Sequence, residues 1–90
     1  MKDWNFLTSH GLVLLYISRK PESTTREIAD AVAVTERTVH RILVDLEKDG
    51  YISRIRTGRA NVYQIDHDVA LRNNLTRNSV VRDLLRLIGD

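Results

Sequence analysis

The chain has no cysteine, which excludes disulfides, thiolate metal sites, cysteine nucleophiles and thiol redox sensing. Its longest apolar runs, Leu12–Ile17 and Ala31–Val34, fall well short of a bilayer-spanning length. The opening MKDWNFLTSHG lacks the basic-then-apolar order of a signal peptide. A soluble, cytoplasmic protein with no membrane partner is therefore expected. No glycine-rich phosphate loop is present, and the four glycines read as breakers or turn residues. No serine, histidine and acid set reads as a catalytic triad, so no enzymatic activity is expected. The three histidines, His10, His40 and His67, lie far apart, whereas a metal site needs at least three convergent ligands. Even His67-Asp68 offers only two, and no metal or cofactor is expected.

What is present is globular in composition, with 42% hydrophobic and 29% charged residues in 90. That makes one domain, 1–90, at the small end of what folds without cross-links, where oligomerisation often adds stability. The net charge of +2 is small, but its placement is uneven. Residues 1–50 hold seven Lys+Arg against eight Asp+Glu, while residues 51–90 hold seven arginines against four aspartates. Tyr51–Ile65 contains Arg54, Arg56 and Arg59 and no acid. A basic stripe on a near-neutral domain is a possible phosphate footprint, although such stripes are more often solvated faces.

Periodicity and capping signals predict the elements. A first helix is expected over about Ser9 to Arg19, capped by Thr8 or Ser9 and followed by Pro21; it is apolar nearly all round. Thr24-Thr25-Arg26-Glu27 is a capping-box pattern, starting a short helix over Thr25 to Ala31. After the turn at Ala33-Val34, Thr35 caps a helix from Glu36 to Lys48. Its Val39, Ile42, Leu43 and Leu46 recur at i, i+3, i+4, i+7, and Gly50 ends it. Two β-prone runs, Ile52–Arg56 and Asn61–Ile65, flank a turn at 57–60. Helical spacing then returns from Val69 through Ile88, with Asn78 or Ser79 as a possible cap. The expected fold is mainly α with a small β-hairpin: a three-helix core, a wing and a C-terminal helical segment at about 68–89.

Two short helices joined by a tight turn form a helix-turn-helix, and the hairpin makes it winged. At 100° per residue, Arg37, Arg41, Val44 and Lys48 point away from the apolar stripe of the helix at 35–48. His40 and Glu47 lie on one shoulder, Thr38 and Asp45 on the other. In such a motif the second helix enters the major groove with its N-terminal half nearest the bases. Arg37 and Arg41 suit guanine or phosphate there, and Thr35, Thr38 and the first-turn amides suit a phosphate. Glu36 accepts from a cytosine amino group or only stabilises the helix start. The candidate DNA contacts are therefore Thr25, Thr35, Glu36, Arg37, Thr38, His40, Arg41, Val44 and Lys48, with Arg54, Arg56 and Arg59 on the wing. The bland alternative makes Arg37 and Arg41 surface arginines in i,i+4 pairs, such as Arg41 with Asp45. Basic wing residues equally discourage sheet-to-sheet aggregation. Tyr51, Ile52, Ile55, Tyr63 and Ile65 read as core. Trp4 and Phe6 read as capping the core or a dimer seam. The stripe Val81, Leu84, Leu85 and Ile88 suggests a dimer seam, or a helix folding back on its own domain.

The stretches REIADAVAVTERTVHRIL, LEKDGYI, the GR tip and VYQI resemble the winged helix-turn-helix of MarR/ArsR-type prokaryotic transcription regulators. From LTSHGLVLLYI through VVRDLLRLI, the chain is similar to a short, single-domain group of these proteins. The resemblance implies DNA binding by the helix beginning at Thr35, a wing at Thr57–Ala60 and dimerisation through terminal helices. The chain departs from larger MarR proteins in lacking their longer helical extensions, which leaves little room for a ligand pocket. It also lacks the cysteines and paired acid/histidine sets of metal-sensing members. The expected function is a homodimeric, sequence-specific regulator of transcription on double-stranded DNA; a small-molecule effector is possible but unsupported. The competing reading is a winged-helix module that binds protein rather than DNA.

Overall fold

The structure is a computed structural model that describes residues 7–58, 60–71, 75 and 78–89. Its elements are α1 (Ser9–Arg19), α2 (Thr25–Val32), α3 (Glu36–Lys48), β1 (Ile52–Thr57), β2 (Ala60–Ile65) and α4 (Val81–Gly89). Each helix start follows from local chemistry. Thr8 caps α1, its hydroxyl accepting from the Gly11 amide at 3.3 Å. At α2 the capping box is complete: Thr24 Oγ1 accepts from the Glu27 amide (3.1 Å) and Glu27 Oε1 from the Thr24 amide (2.8 Å). Thr35 Oγ1 accepts from the Thr38 amide at 3.1 Å and caps α3. These bonds satisfy amides that the first turn of a helix leaves without partners.

The core lies where α1, α2 and α3 converge. Val13, Ile17, Ile28, Val39 and Leu43 are fully buried there. The turn between α2 and α3 passes through Ala33, whose φ of 63° is left-handed although the residue is not glycine. Its amide bonds Ala29 O and closes the end of α2. At the end of α3, Gly50 takes φ 84°, and the chain turns so that the Tyr51 amide bonds Leu46 O at 2.9 Å.

β1 and β2 pair antiparallel from Ile52↔Ile65 to Thr57↔Ala60, each one residue longer than the sequence predicts. The two-residue tip begins with Gly58 at φ 61°, as short hairpin turns require. Tyr63 N–H to Pro21 O (3.0 Å) ties β2 to the connection between α1 and α2, and Asp66 N–H to Tyr51 O (2.9 Å) extends the hairpin ladder by one pair at its base. Ile52 and Tyr63 complete the core. Ile55, expected inside, is 47% exposed. It alternates with Ile52 along the strand, so its side chain falls on the other face.

The C-terminal region departs from the expected helix over 68–89. The helix begins only at Val81. Before it, an Asp66 turn, with the Asp68 amide on Asp66 Oδ1 at 3.0 Å, leads to an isolated antiparallel bridge, Ala70↔Val80. Amide bonds Leu71 N–H to Ser79 O and Val81 N–H to Val69 O, both 2.9 Å, flank that bridge. Backbone groups committed to a bridge cannot supply helical bonds, which explains the late start. The cap is neither Asn78 nor Ser79: Asp83 reaches back to the Val80 amide at 3.0 Å. Val81 and Leu85 are buried in the core, so this much of the apolar stripe folds back onto its own domain, against α1.

Candidate nucleic-acid interface

The inner face of α3 is committed to the core, since Val39, Ile42, Leu43 and Leu46 are all buried. The outer face carries Arg37, Arg41, Val44 and Lys48, all exposed. Arg37, Arg41 and Lys48 make no hydrogen bond or ion pair among the described residues. The expected local partner of Arg41 is engaged elsewhere: Asp45 Oδ2 lies 2.8 Å from His10 Nε2 on α1. The intrahelical Arg41–Asp45 pair does not form.

The other two α3 carboxylates are also held from outside the helix. Glu47 meets Arg54 of β1, Oε1 to Nη2 at 3.6 Å. Glu36 Oε1 accepts from Thr25 Oγ1 of α2 at 3.4 Å. Neighbouring elements thus draw the acids of α3 sideways, leaving a cationic outward face without a carboxylate on it. Thr35 and Thr38 stay together at the helix start, hydroxyl to hydroxyl at 2.9 Å, with Thr35 exposed and Thr38 half-buried. His40 is exposed on the Glu47 shoulder. Thr25 is half-buried, brought to the front of α3 by the Glu36 contact.

On the wing, the three arginines separate. Arg54 is half-buried, with its guanidinium 6.0 Å from the centre of the Tyr63 ring and its Nε buried without a partner. It holds β1 against α3 more than it offers charge to solvent. Arg56 is exposed, its Nε donating to Gly58 O at 3.4 Å. Arg59 lies outside the described residues, as do Trp4 and Phe6. The cross-element partners, His10 above all, are what sequence reading missed. Helical spacing reveals partners within one helix, whereas His10 and Asp45 are 35 positions apart.

Among the described residues no group of three or more His, Asp or Glu converges to hold a metal, and no helix is long and apolar enough to cross a membrane. Among the described residues, the Glu27 carboxyl titrates away from its ordinary value. The Thr24 backbone and hydroxyl bonds hold its carboxyl below the ordinary value of 4.5, with Lys20 adding a smaller push the same way. That shift belongs to the α2 cap.

Comparison with known proteins decides the family. A model described as winged helix-turn-helix DNA-binding matches residues 8–53, from the α1 cap to the start of β1. The chain belongs to the winged helix-turn-helix DNA-binding family. Among solved structures it is similar to MepR, a transcription regulator of the Staphylococcus aureus multidrug efflux pump MepA. The TM-score is 0.57 at 25% identity, over 69% of this chain and 48% of that one. A mutant MepR from a multidrug-resistant S. aureus clinical isolate shares the fold across 100% of this chain and 70% of its own, with TM-score 0.58 and 16% identity. The MarR-like winged helix-turn-helix expected from the sequence is borne out. Among curated proteins, a riboflavin kinase of Thermoplasma acidophilum is 35% identical over 48 residues, which are 53% of this chain. The chain spans 22% of the length of that kinase and about half of the first MepR structure.

Proposed function

We propose that this winged helix-turn-helix acts as a homodimeric, sequence-specific regulator of transcription in the cytoplasm, without an enzymatic step. The proposal places α3 in the major groove of duplex DNA and the wing tip in the minor groove. The observation that carries it is the sorting of charge on α3: its acids are engaged by other elements, and Arg37, Arg41 and Lys48 face outward unpaired. Desolvating an unpaired cationic stripe is unfavourable against a neutral protein face and favourable against phosphate, whose condensed counterions it releases. Thr35, Thr38 and the first-turn amides add neutral donors for a phosphate at the positive end of the helix. Thr25, Glu36 and His40 border that position, and Arg56 and Arg59 extend the footprint along the wing.

A second copy is supported by apolar surface that the fold leaves uncovered. Leu12, Leu15 and Tyr16 of α1 remain half-buried, and Leu87 of α4 is 87% exposed. Two-fold pairing through these terminal helices would set two α3 helices about one helical turn of DNA apart.

The test is fluorescence anisotropy on a mixed duplex pool, titrated from low to moderate salt, beside light scattering for the dimer. Binding whose logarithm falls linearly with log salt, by about 0.9 per phosphate contacted, is expected. Arg37→Ala with Arg41→Ala should abolish most of it and leave the fold intact, because both side chains are exposed and unpaired. Absence of duplex binding at low salt overturns this reading in favour of a protein-binding winged helix.

A further inference from the structure

We infer that Val44 reads the 5-methyl group of a thymine in each half-site of the bound DNA, an inference that rests on the DNA-binding reading above. Val44 is 42% exposed and stands on the outer stripe of α3, three residues after Arg41 and four before Lys48. Nothing in the fold explains a valine there. It is not among the residues of the buried core, and a β-branched side chain is a mediocre helix former at a solvent position. Polar and cationic neighbours surround it on the face that the fold leaves for a ligand. An apolar side chain on a major-groove surface has one base feature to meet, because only thymine presents a methyl group there.

The helix fixes where that thymine lies. Val44 is about 10.5 Å along the axis from Arg37 and about 4.5 Å from Arg41. With a base-pair rise of about 3.4 Å, the thymine sits roughly one to three base pairs from a guanine that either arginine takes by its O6/N7 edge. The recognised half-site therefore pairs a guanine with a nearby thymine.

Deoxyuridine substitution tests this, because it deletes the methyl and leaves every base hydrogen bond in place. A duplex first selected from a randomised pool by the wild-type protein is remade with each thymine replaced singly by deoxyuridine. Wild-type protein should lose about fourfold in affinity at one thymine per half-site, the value of one buried methyl. Val44→Ala, altered in both protomers, should bind the parent duplex about as weakly as wild type binds a duplex with deoxyuridine at that position in both half-sites, and should be indifferent to the replacement. Its urea midpoint should not fall. Overturning results are no sensitive thymine for the wild type, equal sensitivity in Val44→Ala, or a selected half-site without an A·T pair near the guanine. Each of these leaves tight, sequence-selective binding standing. Failure to select any duplex sinks the DNA-binding reading itself and the role of Val44 with it.

Discussion

Arg54 tests whether charge on the wing serves the fold or the ligand. In sequence it is one of three equivalent basic residues; in the structure its side chain is 28% exposed and pairs with Glu47 at 3.6 Å. Replacing it with alanine removes three contributions. The ion pair is half in solvent and contributes about 0.5 kcal/mol at most. The contact with the Tyr63 ring, 6.0 Å away, is at the outer limit of such interactions and contributes about 0.5 kcal/mol. Packing of the aliphatic stem between β1 and α3 adds about 1 kcal/mol. Against these, the unpartnered Nε costs about 1 kcal/mol in the wild type, and its removal recovers that amount. The net expectation for Arg54→Ala is a loss of about 1 kcal/mol in urea unfolding, with the m-value unchanged. Arg54→Met keeps the stem and drops the orphaned nitrogen, so it should stay within about 0.5 kcal/mol of wild type. In the salt titration Arg54→Ala should barely change the slope, whereas Arg56→Ala should make it shallower by about 0.9 for each protomer bound, about 1.8 for the dimer. Undiminished stability in Arg54→Ala, together with a slope shallower by nearly one contact per protomer, would refute this reasoning and return Arg54 to the phosphate-binding set.

His10→Ala should free Asp45 to pair with Arg41 one turn earlier, weakening duplex affinity about twofold per half-site, the worth of an exposed i,i+4 pair. His10→Ala with Asp45→Ala should restore it, as anisotropy can read. Ala33→Gly should stabilise the fold by about 0.5 to 1 kcal/mol. The left-handed φ of 63° costs an L-residue about 1 to 2 kcal/mol, which exceeds the extra chain entropy that glycine loses. Gly50→Ala should cost about 1 kcal/mol from backbone conformation alone, since nothing lies within 4 Å of the added methyl. The Glu27 carboxyl is held below 4.5 in the folded state, so its contribution is full above that pH and fades as pH falls through the lower, folded value. The thermal midpoints of wild type and Glu27→Ala should therefore differ most at pH 7 and draw together as the pH falls below 4.5.

The three-helix core and the wing were legible because their signals are local. Thr24 and Thr35 announce caps within three residues, and the Val39, Ile42, Leu43 and Leu46 stripe announces a buried face within three turns. The helix from Val81 was legible in the stripe Val81, Leu84 and Leu85, but the stretch between Asp66 and Val80 was not. Val69, Leu71 and Val80 carry helical spacing, but the backbone there is spent on a bridge between Ala70 and Val80, which depends on residues ten apart. Ile55 misled for a related reason: a two-stranded hairpin has one face on the core and the other in water. Composition cannot say which isoleucine of the run falls on which side. The candidate contact set was read from one helix wheel, which places Arg37 and Arg41 outward but cannot show where their counter-charges go.

The positions of those counter-charges determine what the outer face of α3 presents. As a free helix, α3 would carry Arg37, Arg41 and Lys48 against Glu36, Asp45 and Glu47, a balanced set with an Arg41–Asp45 pair ready to form. Packing fixes where the acids point without changing a residue. α1 takes Asp45 through His10, α2 takes Glu36 through Thr25, and β1 takes Glu47 through Arg54. Each partner sits on a shoulder of the helix, where a neighbouring element can reach it, and none reaches the outer stripe. The weak individual value of such exposed contacts is beside the point for stability, since the core already holds α3. Their effect is on which charges remain available. A fold that holds the acids of α3 on its shoulders and leaves its cations exposed favours an anionic ligand on that face, as proposed above.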